Sequence, residues 1–66
     1  MSLKEMKTEI AKKIVKVRCD EDFILGVIGG LKTEAQAQKM LDVVSSGEHT
    51  AEQLLVASVY ISRDLV

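Results

Sequence analysis

A single cysteine, a single histidine, the acidic triplet Asp20-Glu21-Asp22 and the glycines Gly26, Gly29 and Gly30 are the groups in this chain with chemistry of their own. A reactive thiol needs its pKa lowered by positive neighbours or by a helix N-terminus. Cys19 has Arg18 on one side, but the three carboxylates that follow outweigh it. His49 sits in the turn Gly47-Glu48-His49, where a solvated imidazole is expected and a pH-sensitive contact is the lesser use. One Cys and one His can make neither an internal disulfide nor a zinc site of the usual Cys/His kind within one chain. The acidic triplet lacks the alternating oxygen ligands of a calcium loop, because Phe23-Ile24-Leu25 follows at once. The glycines read G-x-x-G-G, without the Lys-Ser/Thr ending of a P-loop or the G-x-G-x-x-G spacing of a dinucleotide fold. No catalytic, metal-binding or cofactor-binding residue is assigned from these groups, and neither enzyme activity nor a small-molecule substrate is expected.

Charge is the next candidate. The chain of 66 residues carries a net charge of −1, so no general attraction to nucleic acid or anionic membrane is expected. Its distribution is uneven. Lys4, Lys7, Lys12, Lys13, Lys16 and Arg18 face only Glu5 and Glu9 within the first 18 residues, a local balance of +4, and the remainder carries −5. A recognition helix must present Arg, Lys, Gln or Asn near its N-terminus to base edges and phosphates. The third helical segment offers Gln36, Gln38 and Lys39, but Glu34 and Asp42 share its exposed side. The fourth offers only Glu52 and Gln53 there, with Arg63 at its far end. A small helix-turn-helix-like nucleic-acid-binding regulator is therefore the runner-up reading. Membrane-surface binding by the first segment is disfavoured, since its apolar stripe has no aromatic anchor and Glu5 and Glu9 dilute its charge.

The elements that carry these residues are punctuated consistently, and the absence of proline with long runs of good helix formers favours helix throughout. Ser2 with Glu5 opens a capping box, and Leu3, Met6, Ile10, Ile14 and Val17 follow at helical spacing, predicting a helix over about 3–18. Glu9 and Lys13 stand at a favourable i,i+4 spacing on its outer side. Asp20 caps a second helix over about 21–29, whose Phe23, Ile24, Val27 and Ile28 supply the core. Gly26 is expected to permit close backbone approach, and Gly29 or Gly30 to end the helix in the left-handed conformation with Leu31 folding back. Thr33 with Gln36 opens a third helix over about 34–46, with Ala37, Met40, Leu41 and Val44 as its apolar face and Gly47 as its stop. Thr50 with Gln53 opens a fourth over about 51–64. The fold expected is an all-α single domain, a small bundle or orthogonal array of four short helices joined by loops of about two to four residues.

The fourth segment carries the functional expectation. Its run Leu54 to Ser62 would also suit a buried strand by composition, but a capped start and more than ten residues without a breaker favour helix. Leu54, Ile61 and Leu65 fall on one side, Leu55, Val59 and Val66 on a second, Val56 and Tyr60 on a third. A helix apolar nearly all round must be buried nearly all round. Three short partners are expected to cover two of those sides and leave another chain to cover the third. A domain this small buries only about 60% of the surface its unfolded chain exposes, and association is one of the few supports open to it. With 47% apolar residues, the reading is a protein–protein interaction or oligomerisation module. Leu55, Val56, Val59 and Tyr60 are the expected contact residues, and the partner is a second copy in a homodimer or another protein. The basic first segment is expected to steer towards an acidic surface. The charged N-terminus and the absence of a roughly 20-residue apolar run predict a cytoplasmic location with no membrane span.

Overall fold

Four local caps divide the chain by satisfying the N–H groups that open each helix. In the computed structural model, which describes residues 2–65, the helices are α1 (Leu3–Ile14), α2 (Glu21–Gly29), α3 (Glu34–Ser45) and α4 (Ala51–Ser62). The architecture is an all-α bundle with no strand among the described residues, and residues 54–62 are helical. Val66, grouped above with Leu55 and Val59, lies outside the described residues.

At α1, the Glu5 N–H donates to Ser2 Oγ at 3.2 Å while the Ser2 N–H donates to Glu5 Oε1 at 3.3 Å. That backbone N–H first, and the Ser2 side chain second, hold the Glu5 carboxyl below the ordinary glutamate range. Thr50 and Gln53 make the same reciprocal pair at α4, at 2.9 and 3.2 Å. At α2, Asp20 Oδ1 accepts from the N–H groups of Asp22 and Phe23 at 3.0 and 3.4 Å.

At α3 the expected box is only half made. Thr33 Oγ1 accepts from the Gln36 N–H at 3.1 Å, but the Gln36 amide turns away from the cap. Its Oε1 accepts from the Lys32 N–H at 2.8 Å and its Nε2 donates to Asp64 Oδ1 at 3.0 Å, a bridge across 28 residues. Asp64 is the left-handed residue of a Schellman motif that closes α4. Its φ is +56°, its N–H donates to Ile61 O at 3.0 Å, and the Leu65 N–H donates to Tyr60 O at 3.0 Å. Gln36 therefore ties the α2–α3 turn to the end of α4.

The core draws on every helix and the α2–α3 turn: Ile10, Ile14, Val27, Leu31, Ala37 and Met40 are fully enclosed, with Leu54 and Ile61 nearly so. α1 lies against α3 and α2, and α4 lies against α3 and α2. The accessible surface of 4306 Å² is close to the ~4,200 Å² expected for a compact chain of this mass.

Several expectations are corrected. α1 stops at Ile14, four residues early, and residues 15–20 form a turn and linker in place of a two-residue loop. The Val17 and Arg18 N–H groups both return to Ile14 O, at 2.8 and 3.0 Å, and β-branched Val15 and Val17 support further helix poorly. Arg18 is drawn forward instead, reaching Asp20 at 3.4 Å and lying 5.4 Å over the Phe23 ring. Val17 leaves the buried stripe and is 43% exposed. On the outer side of α1, Glu9 pairs with Lys12 at 3.4 Å, an i,i+3 contact where Lys13 was expected. α4 ends at Ser62, two residues short of the expected limit. The close approach belongs to Gly30 and not to Gly26: a Cβ on Gly30 would stand 3.1 Å from Ser62 Cβ, whereas nothing lies within 4 Å of one on Gly26. Gly30 has φ −82°, so the left-handed ending expected in α2 is not used.

Two substitutions at these glycines should act oppositely. Gly26→Ala should stabilise the fold by about 0.5–1 kcal/mol through helix propensity, whereas Gly30→Ala should bring no such gain because Ser62 resists it. Thermal melts of both variants check the contrast. Gln36→Leu should cost about 1–3 kcal/mol by stranding the Lys32 N–H, with faster amide exchange at Asp64 and Leu65 as its local signature.

Candidate interaction surface

α4 is capped at both ends, so the angular position of each of its side chains is settled by helical geometry. Leu54, Ser58 and Ile61 point into the core and are buried. The Ser58 hydroxyl satisfies itself on Leu55 O at 2.7 Å, which lets a polar side chain sit there. On the other half, Val56 is 53% exposed, Tyr60 51%, Leu55 42% and Val59 37%. At about 100° per residue, Leu55, Val59, Val56 and Tyr60 follow one another around an arc of about 140°. The four residues expected to make contact thus form one continuous apolar face, flanked along the helix by Glu52, Gln53 and Arg63.

The expected coverage is corrected here. The bundle covers one side of α4, where two were expected, because α1 packs chiefly on α2 and α3 and the main contacts of α4 come from those two helices. Leu65, placed above with Leu54 and Ile61, is 64% exposed because the chain leaves the helix at Arg63 and Asp64. Leu25 of α2, 54% exposed, was not anticipated as a surface residue; its position opposite Val27 on a two-turn helix is the signal that marks it. Beside the apolar face, an open groove of about 570 Å³ runs between α3 and α4, lined among others by Val43, Gln53, Val56, Ala57, Tyr60 and Ile61.

The groups with chemistry of their own are placed differently. Cys19 is an exposed free thiol in the α1–α2 linker. His49 is not the solvated residue expected of its turn. It is half-buried, and its Nε2 is shielded from solvent without a hydrogen-bond partner among the described residues. It lines a cleft of about 480 Å³ with Lys13, Lys16, Val17, Glu48 and Leu54. No cluster of three His, Cys, Asp or Glu side chains suited to a metal ion occurs among the described residues. Of the polar groups at the start of α3, Gln36 is buried and doubly engaged, and Gln38 Nε2 donates to Asp42 Oδ1 at 2.9 Å. Among the described residues no helix is long and apolar enough to cross a membrane.

No protein-family model, no curated protein and no solved structure matches this chain. The α4 face therefore has to be read from its own chemistry.

If that face is free of folding duties, changes on it should leave stability intact. Leu55→Lys and Val56→Lys should each shift unfolding free energy by no more than about 0.5 kcal/mol in dilute solution, whereas Leu54→Ala, one residue away, should cost about 2–5 kcal/mol. Urea titrations of the three variants at low concentration make the comparison.

Proposed function

We propose that this protein is a cytoplasmic protein–protein interaction or self-association module whose working surface is the outer face of α4. The observation that carries this reading is the continuous exposure of Leu55, Val56, Val59 and Tyr60 on a helix whose opposite half is built into the core. Isolated apolar residues on a surface are ordinary, but four adjoining ones on one helix face are the signature of a contact site.

Full burial of one such side chain is worth about 1.5–3 kcal/mol. The four are already about half covered, so their complete burial by a partner makes on the order of 3–6 kcal/mol available. Association itself opposes binding by several kcal/mol, so the contact is expected to be weak and reversible unless surrounding surface joins it. Tyr60 suits such a site, since its ring offers a large rigid area and its hydroxyl keeps a hydrogen-bonding edge.

Sedimentation velocity over about 10 µM to about 1 mM, the range where weak association is visible, tests the self-association form. The expected result is a sedimentation coefficient that falls on dilution, together with a Val56→Asp variant that stays monomeric and helical throughout. Wild-type protein that remains a strict monomer at the highest concentration would remove self-association from the reading.

A further inference from the structure

The apolar face of α4 is bounded by charges of opposite sign, and their placement is symmetric. Glu52, Val56, Val59 and Arg63 recur at spacings of four, three and four, the seam of a two-helix packing. The pattern is centred between Ala57 and Ser58: Val56 and Val59 stand equally far from that point, as do Leu55 and Tyr60, and Glu52 and Arg63. Glu52 and Arg63 are both exposed, and neither side chain makes an ion pair among the described residues. A two-fold axis through that centre turns the helix end for end and lays it on itself.

We propose that the occupant of this face is a second copy of the same chain, with the two α4 helices antiparallel. The proposal rests on the reading of the α4 face as an interface and adds its partner and direction. In this pairing Val56 meets Val59 of the other copy, Leu55 and Tyr60 close the two edges of the seam, and Glu52 meets Arg63 twice. The opposite direction is disfavoured by the same charges. A parallel pair sets Glu52 against Glu52 and Arg63 against Arg63 and also aligns the two helix dipoles. The antiparallel pair relieves both repulsions and leaves each dipole against its opposite.

Charge inversion and cross-linking test the pairing together. Glu52→Arg and Arg63→Glu should each weaken dimerisation about ten-fold or more, and the double inversion should return it to within a few-fold of wild type. Circular dichroism confirms that each variant is folded before it is compared. In a Cys19→Ser background, an equimolar mixture of Glu52→Cys and Arg63→Cys chains under mild oxidation should yield a disulfide-linked dimer. Either variant alone should not, because eleven residues of helix hold like positions about 16 Å apart, beyond disulfide reach.

Three results overturn the proposal, and they separate its failure from that of the interface reading. A dimer abolished by Val56→Asp, but with like-to-like cross-links or no rescue by the double inversion, removes the antiparallel pairing and keeps the interface. A dimer indifferent to Val56→Asp removes both. A chain monomeric at about 1 mM removes the second copy as occupant and leaves the face to a different partner.

Discussion

A bundle of four short helices has too few neighbours to surround any one of them, and this limit shapes the whole surface. α1, the most heavily charged of the four, packs chiefly on α2 and α3, so α4 draws its main contacts from those two. Leu54, Ser58 and Ile61 are enclosed, with Ala57 partly buried beside them, while Leu55, Val56, Val59 and Tyr60 stay exposed. The excess of apolar residues in α4 then has only water to meet. Of the eight exposed large apolar residues among those described, four adjoin on one face of α4, while Val15, Val17, Leu25 and Leu65 are scattered elsewhere.

The position of that face depends on how α4 is held at both ends. Its start is pinned locally by the reciprocal Thr50–Gln53 pair, and its end is pinned from a distance by the buried Gln36 amide on Asp64. Asp64 stands in a left-handed conformation where glycine is more usual, a position that Asp tolerates better than most residues. Gln36 holds its carboxylate there while accepting the Lys32 N–H. Gly30, whose Cα lies under Ser62 with no room to spare, brings the end of α2 against the same turn. The C-terminal end of α4 is therefore a junction of three segments, and the exposed face is presented from a supported helix.

Much of the architecture was legible in short stretches. Each of the four helix starts is marked by a capping side chain, and the stripe Met6, Ile10, Ile14 is buried as its spacing requires. The misses share a cause. Thr33 and Gln36 look like Thr50 and Gln53, yet only the second pair closes on itself, because Gln36 has a competing partner 28 residues away. Val17 continues the α1 stripe by spacing, but the helix ends at Ile14, and Arg18 beyond it lies against Asp20 and the Phe23 ring. His49 reads as a turn residue but is half-buried in a cleft shared with Lys13 of α1 and with Lys16 and Val17 of the linker, which nothing in its own turn announces.

The candidate surface divides along the same line. Composition and spacing by themselves determined that α4 is a helix with more apolar sides than a 66-residue chain can cover, and that Leu55, Val56, Val59 and Tyr60 are among the surplus. Those properties are local, since a cap acts over three residues and a helical face repeats every few. Only the tertiary structure decided that one side of α4 is covered and that the remaining two merge into a single arc. The number of neighbours a helix receives depends on where the other helices are already spent, and that is a property of the packing and of no single stretch of chain.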